Sequence, residues 1–396
     1  GDKSQEGVLF RARDSLMGDV VHASPIPYRW EIDTDGVVFV GANDGMLHVL
    51  REDTGDELFS YIPNLVFANL KHLADDPYAH KYYVDNDPYI TKLGTTGTTL
   101  LIGGLGRGGR GYYCLDISAF SDGSFDIDTF DAETNAASLV KWEYPQTKSN
   151  PENVSTDPID DDMGFSFSQA YIVKSNAGWV AVWGNGYDSK SGKAVLYVQP
   201  LNNDGTRKAP YDGTNPPLKI HTQAGSATDC NGLSTPALVD VNLDGLVDYA
   251  YAGDLHGNMW KFDLRNGDVS AWDVAFFDGA TPKPLFQARN MITAVGDTGD
   301  AGFRQPITTR PDVMRHCLSG RDGYIVIFGT GRFVSLSDYA DGAAIQSVYG
   351  IWDWADEWSN LSNPPFNDDI RNPLDKYMGY YTVNRNLKNL IDNPYM

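Results

Sequence analysis

Tyr249-Ala-Tyr-Ala-Gly253, Asp254-Leu-His-Gly257 and Asn258-Met-Trp-Lys-Phe262 follow one another without a break. Two short aromatic and apolar runs flank a turn framed by glycines, the composition of a β-hairpin with a tight connection. The pattern recurs near the start of the chain, where Val37-Val-Phe-Val-Gly41 leads through Ala42-Asn-Asp-Gly45 into Met46-Leu-His-Val-Leu50. Related hairpins pair Leu100-Leu-Ile-Gly-Gly104 with Gly111-Tyr-Tyr-Cys-Leu-Asp116, Val180-Ala-Val-Trp-Gly184 with Ala194-Val-Leu-Tyr197, and Tyr324-Ile-Val-Ile-Phe-Gly329 with Ser347-Val-Tyr-Gly-Ile-Trp352.

Ahead of each hairpin stands a short signal: Ser24-Pro25, Asp87-Pro88, Ser166-Phe-Ser168, Ser234-Thr-Pro236 and Thr309-Arg-Pro311. A further strand follows in places, as in Glu57-Leu-Phe-Ser-Tyr61 and Lys141-Trp-Glu-Tyr144. Three- or four-stranded units repeating at roughly 60 to 80 residues predict an all-β chain folded as a β-propeller, whose radial closure leaves only short, protected edges. The competing architecture is a set of β-sandwich domains with similar hairpins. On the propeller reading one domain fills residues 1–396, the Asp-, Ser-, Thr- and Asn-rich segments 120–138, 145–162, 201–231 and 354–396 are insertions, and Trp142, Trp183, Trp260 and Trp352 pack between blades.

Upstream of the quoted hairpin, residues 240–248 read Asp-Val-Asn-Leu-Asp-Gly-Leu-Val-Asp. Calcium takes six to eight oxygen ligands at roughly 2.3–2.6 Å, and a loop with acidic or amide residues at positions 1, 3 and 5 turns all three inward. Those positions are Asp240, Asn242 and Asp244; Gly245 supplies the sharp turn, Leu246 offers its backbone carbonyl and Asp248 closes the set. The alternative is an Asx-rich turn, since Asp, Asn and Gly favour turns for conformational reasons alone. Position 12 is Tyr251, where a helix-loop-helix calcium hand carries a bidentate Glu, and the flanks are strand-like. The expected affinity therefore falls in the weaker half of a range running from roughly nanomolar to millimolar. Without the ion three carboxylates crowd one turn, so binding and local folding are expected to be linked.

Composition narrows the partners. The 396 residues are 41% hydrophobic and 12% aromatic, which describes a globular chain, and 31 Lys plus Arg against 53 Asp plus Glu leave a net charge of −22. That charge disfavours nucleic acid, which needs clustered cations; the two arginines of Arg107-Gly-Gly-Arg110 read as a solvated turn. No apolar run approaches the ~18–20 residues that span a bilayer. Gly1-Asp-Lys-Ser4 lacks a signal-peptide pattern and reads as the interior of a longer polypeptide. Cys114, Cys230 and Cys317 form no Cys-x-x-Cys pattern, leaving one disulfide plus a free thiol, or none.

Other chemistry has little support. Histidines 22, 48, 72, 80, 221, 256 and 316 show no zinc-hydrolase spacing, and Ser166 and Ser168 lack a nucleophile elbow. Asp157, Asp160, Asp161 and Asp162 read as a solvated acidic loop before a second cation site, Asp33-Thr-Asp-Gly36 is too short to assign, and Gly320-Arg-Asp-Gly323 has the wrong order for an Arg-Gly-Asp motif.

Taken in order, Gly18-Asp-Val-Val-His-Ala-Ser-Pro25, Val40-Gly-Ala-Asn-Asp-Gly-Met-Leu-His48, Gly103-Gly-Leu-Gly-Arg-Gly-Gly-Arg-Gly111, Asp240 to Asp248 with Ala252-Gly-Asp-Leu-His-Gly-Asn-Met-Trp-Lys-Phe-Asp263, and Phe328-Gly-Thr-Gly-Arg332 resemble the C-terminal domain of the PilY/PilC type IV pilus biogenesis factors and tip adhesins. The resemblance implies a modified propeller of about seven blades, of which five hairpins are legible in the sequence itself. It further implies a secreted, pilus-tip and outer-membrane-associated protein that meets major and minor pilins and host or abiotic surfaces. Ca²⁺ in the 240–248 loop would oppose pilus retraction, supporting extension, adhesion and twitching motility. The adhesive N-terminal region of such proteins has no counterpart in this sequence; in the family further strands past the Trp352 region complete the ring, whereas this sequence stops at Met396, and an incomplete last blade is the expectation.

The competing class is enzymatic. Val38 to Leu50 followed by Asp53-Thr-Gly-Asp-Glu-Leu-Phe59 resembles one blade of the quinone-dependent alcohol dehydrogenases, which are also calcium-using propellers. Those enzymes often stack their pyrroloquinoline quinone on a disulfide of adjacent cysteines, and no adjacent pair occurs here. A non-enzymatic chain is the expectation.

Overall fold

The computed structural model describes residues 11, 13, 15–29, 36–95, 97–121, 138–145, 160–290, 303–315, 323–334, 338, 346–353 and 381–384. Five antiparallel sheets of four or more strands, each a meander in sequence order, carry the described chain, accompanied by two two-stranded ribbons (Phe276–Asp278 with Thr281–Lys283, and Arg289–Asn290 with Phe303–Arg304). The first holds β1 (Ile26–Tyr28), β2 (Val37–Gly41), β3 (Leu47–Arg51) and β4 (Glu57–Tyr61). The second holds β5 (Tyr89–Lys92), β6 (Thr99–Gly104), β7 (Tyr112–Asp116) and β8 (Val140–Tyr144). The third holds β9 (Tyr171–Ser175), β10 (Gly178–Gly184), β11 (Lys193–Leu201) and β12 (Leu218–Gly225). In the fourth, β13 (Ala237–Val239), β14 (Tyr249–Gly253), β15 (Asn258–Asp263) and β16 (Asp273–Val274) are joined by Phe286–Gln287, which pairs with the start of β15. The fifth contains β17 (Asp312–Arg315), β18 (Tyr324–Gly329), β19 (Ser347–Asp353) and β20 (Tyr381–Asn384).

Period-2 alternation explains how these sheets stack. Successive side chains of a strand point to opposite faces, and the inner strands bury both. In β7, Tyr113 and Leu115 pack with β2 and β3 residues of the first sheet, while Tyr112 and Cys114 pack with Ile172, Ala181 and Trp183 of the third. In β10, Ala181 and Trp183 face the second sheet while Val180 and Val182 face Ala250, Trp260 and Phe262 of the fourth. In β14, Ala250 and Ala252 face the third sheet, and Tyr249 and Tyr251 face Val326, Phe328 and Tyr349 of the fifth. A sandwich sheet buries one face and solvates the other; an inner blade of a propeller buries both. The near-continuous apolar runs that mark the hairpins follow from this.

Some expectations need correction. Segment 201–231 is no mere insertion, because its residues 218–225 form β12, the outer strand of the third sheet. Likewise 354–396 contains β20, whose Tyr381–Asn384 pairs with β19; most of that segment, with most of 120–138 and 145–162, lies outside the described residues. Trp142 and Trp183 stack between the second and third sheets and Trp260 sits between the third and fourth, but Trp352 is only half-buried and lies outside the four core clusters. The five sheets of at least four strands among the described residues correspond to the five hairpins legible in the sequence.

Candidate functional site

The loop between β13 and β14 is built by its own side chains. Asp240 accepts backbone hydrogen bonds from Leu243 (2.7 Å), Asp244 (3.3 Å) and Gly245 (2.7 Å), so position 1 closes the turn on itself. Asn242 Oδ1 accepts from the Asp244 amide at 3.0 Å, its Nδ2 donates to Asp244 Oδ2 at 3.0 Å, and Asp244 Oδ1 accepts from the Leu246 amide at 2.8 Å. Leu243 (φ 62°) and Gly245 (φ 84°) adopt left-handed backbone, which wraps positions 4 to 6 tightly. The five predicted ligand residues Asp240, Asn242, Asp244, Leu246 and Asp248 thus share one turn.

Asp248 differs from the others in being only 4% exposed. Its Oδ2 accepts from the Val241 amide at 2.9 Å, and its own backbone is fixed by Val239 O and the Leu264 amide. Burial pushes its carboxyl above the usual range, and the nearby charges of Asp244 and Asp240 push it further. A buried carboxylate whose neighbours' charges favour its protonation is the electrostatic condition a divalent cation relieves. Among the described residues no three His, Cys, Asp or Glu side chains already converge as a cage; the proposed set adds an amide and a carbonyl from the same turn. The residues fit a hard cation in donor type and spacing. If bound, the ion would supply positive charge that holds the turn closed.

The loop is tied to both neighbouring sheets. Val247 donates to Lys174 O at 2.9 Å and bridges Ser175 at the end of β9, while Tyr324 of β18 donates its hydroxyl to Val241 O at 3.1 Å. Tyr251, at position 12, points away into the interface with the fifth sheet, where its hydroxyl donates to Asp353 at 2.5 Å.

Sequence reading missed the polar groups buried nearby. Lys261 Nζ lies 2.7 Å from Asp353, both side chains almost wholly buried, and 4.0 Å over the Tyr249 ring. The one local signal is a lysine inside the otherwise apolar Asn258-Met-Trp-Lys-Phe262; its partner is far along the chain. Asp160 is corrected too: it is 7% exposed, 2.5 Å from Lys219, and bonded by the Tyr144 and Tyr197 hydroxyls, so it is no solvated loop acid. Asp162 shares Lys219 at 3.0 Å and Asp161 is exposed; Asp157 lies outside the described residues.

The remaining candidates resolve simply. Each described histidine lies within 4.0 Å of an aspartate or glutamate. Ser166 and Ser168 are buried fasteners, bonded to Leu105, Gly109 and Gly184 backbone groups. Cys114 and Cys230 are free thiols, and burial pushes the Cys114 thiol well up; Cys317, His316, most of Asp33-Thr-Asp-Gly36 and of Gly320-Arg-Asp-Gly323 lie outside the described residues. No helix among the described residues is long and apolar enough to cross a membrane.

A family model described as the PilY1 beta-propeller domain matches residues 31–361. A Xylella fastidiosa protein named as a type IV pilus biogenesis factor PilY1 homolog is 36% identical over 392 residues, covering 89% of this chain and 24% of that protein. Type IV pilus biogenesis factor PilY1 of Pseudomonas aeruginosa is 34% identical over 451 residues, covering 100% of this chain and 34% of that protein. The crystal structure of the Pseudomonas aeruginosa PilY1 C-terminal domain superposes with a TM-score of 0.58 at 33% identity, covering 82% of this chain and 58% of that one. The chain therefore spans about a quarter to a third of the length of these two curated relatives.

Proposed function

This chain belongs to the PilY1 β-propeller family, and from that premise we propose that it serves type IV pilus biogenesis as a calcium-stabilised assembly module rather than as an enzyme. The relatives' names support the pilus role. The calcium reading rests on one observation: buried Asp248 feels the charges of Asp244 and Asp240 within a turn whose donors suit a hard cation. Asp240, Asn242, Asp244 and Asp248 would ligate through side chains and Leu246 through its carbonyl. Because the turn is tied to β9 and to Tyr324, the ion would set the packing of three consecutive sheets. A surface so braced would meet pilin subunits outside the cell, at the pilus, and in its calcium-loaded form oppose retraction and favour extension and surface attachment.

Isothermal titration of calcium into the wild type and into Asp240→Ala and Asp244→Ala tests the site. The wild type is expected to bind one ion and the variants none, with their far-UV spectra unchanged; equal binding by all three removes the proposal. Adding pyrroloquinoline quinone with calcium and following dye-linked alcohol oxidation tests the enzymatic alternative, and no turnover is expected.

A further inference from the structure

A second feature lies away from the calcium loop. A cavity of about 470 Å³ is lined by Lys81, Tyr82, Tyr83, Arg107, Phe165, Phe167 and Tyr187, with Asn69, Gly108, Asp188 and Val334 completing it. That volume falls within the ~300–1,000 Å³ of small-ligand sites. Its lining is mostly aromatic: Tyr83 and Tyr187 are buried, and Phe167 stacks on Tyr187 with centroids 5.5 Å apart.

The glycine-rich stretch after β6 makes the wall. A Cβ on Gly108 would stand 1.8 Å from Tyr83 O, so only glycine lets this loop lie against the segment bearing Tyr82 and Tyr83. The close approach carries the guanidinium of Arg107 to 5.2 Å from the Tyr82 ring centroid. Across the cavity, Arg110 is spent on the wall itself: it donates to Asp188 O at 2.8 Å and to the Asp188 carboxylate at 3.1 Å, and covers the Phe165 ring at 4.7 Å.

Lys81 and Arg107 have no such role. In a chain of net charge −22, neither has a hydrogen-bonded or ion-paired protein partner among the described residues, and the lining carboxylate, Asp188, already holds Arg110. An aromatic cage for an organic cation would not place two free cations on its lining, and the acidic whole repels an extended polyanion. A small anion remains, presented on something flat enough to lie against rings.

We propose that this cavity binds a carboxylate carried on a six-membered ring with an apolar face. Lys81 and Arg107 take the carboxylate, Arg107 through its planar fork, while Phe167 takes the ring face. A terminal uronic-acid residue of a short oligosaccharide and a free aromatic carboxylate share this chemistry.

The test is calorimetric titration of the whole chain, in low salt with EDTA so that the calcium loop takes no part, using trigalacturonate, the neutral galactose trimer and benzoate. Trigalacturonate or benzoate is expected to bind, the neutral trimer not, and Lys81→Ala with Arg107→Ala to weaken binding at least about tenfold, as loss of charge-assisted hydrogen bonds implies. Phe167→Ala separately reports the ring contact, and is expected to weaken the same probe. Binding of trigalacturonate alone identifies a saccharide source, of benzoate alone an aromatic acid, and either keeps the site. The proposal falls if the neutral trimer binds equally, if the double variant binds as the wild type does, or if no probe binds at about 10 mM, beyond the weak end of the affinity scale. Both cations stand at the cavity surface, so their removal leaves the fold in place.

Discussion

At one end of β14, Asp254 is wholly buried and its carboxyl oxygens accept from the Asn258 amide, the side chains of Asn231 and Asn258, and the Trp260 indole, at 2.7–2.8 Å. At the other end, Asp240, Asp244 and Asp248 share a turn in which the buried member is pushed toward protonation, by burial and by its neighbours' charges. Both turns are acidic and both join strands of the same sheet. The first finds its donors within the protein and needs nothing from solvent. The second has no cation within the loop, and the one nearby positive charge that reaches Asp248, Arg265, is already paired with Asp263, so its stability should depend on what the solution contains. A sheet can thus hold one fixed turn and one conditional turn only five residues of strand apart.

The comparison breaks most sharply at Asp254. Asp254→Ala leaves buried Asn231, Asn258 and Trp260 donors unmet, and a loss of about 3 to 5 kcal/mol is expected from such uncompensated burial. Urea denaturation with and without calcium measures it. The loss should be the same in both, and a calcium-dependent difference would mean that the two turns are coupled.

A smaller effect is expected at the conditional turn. For a dissociation constant of ~0.1 mM, ~2 mM calcium should stabilise the wild type by about 1.8 kcal/mol. Asp240→Ala and Asp244→Ala should lose that increment, seen as melting temperatures that no longer rise when calcium replaces EDTA. Persistence of the increment in both variants would place the ion elsewhere.

The first sheet offers the titratable version of the same contrast. His48 is buried between Asp44, 3.0 Å from Nε2, and Glu57, 2.6 Å from Nδ1. Burial opposes its charged form, but the hydrogen bonds and charges of the two carboxylates prevail and raise its pKa. The folded value being above the unfolded one, near 6.5, this stabilisation is complete below about pH 6.5 and is lost as pH rises through the folded value. The carboxyl groups of Asp44 and Glu57 are lowered, so their share is lost at the acid end. Thermal melts of the wild type and His48→Gln should therefore differ more at pH 6 than at pH 9; a gap that widens with pH would contradict the assignment.

How much of this was legible in the sequence depended on how local the cause was. The inner strands declared themselves because both faces are buried, leaving apolar runs such as Leu100-Leu-Ile-Gly-Gly104. β12 did not, since only Ile220 and Thr222 of its alternating residues are buried while His221 and Gln223 face solvent, and a half-wet outer strand looks like a polar loop. The proposed calcium turn suggested itself because its five candidate ligand residues lie within nine positions. Lys261 with Asp353, Asp160 with Lys219, and the cavity linking Lys81, Arg107 and Phe167 are assembled from distant segments, and pairwise spacing carries no trace of them.

The smallest expected effect separates the two turns by backbone alone. Gly245 and Gly257 both hold left-handed φ values, 84° and 78°, so Ala at either pays a conformational penalty of about 1 kcal/mol. At Gly245 a Cβ meets nothing within 4 Å, and the substitution should cost no more than that and leave the ligand set in place. At Gly257 it would stand 2.6 Å from Gln305 O and 2.7 Å from Ala288 O, both backbone atoms, which must shift to admit it. Gly245→Ala should therefore unfold at nearly the wild-type urea concentration, with calcium affinity close to unchanged, while Gly257→Ala unfolds clearly earlier. Equal losses at the two sites would show that the exposed turn is packed as tightly as the buried one, and would remove the structural ground for treating it as the part of this sheet that waits for an ion.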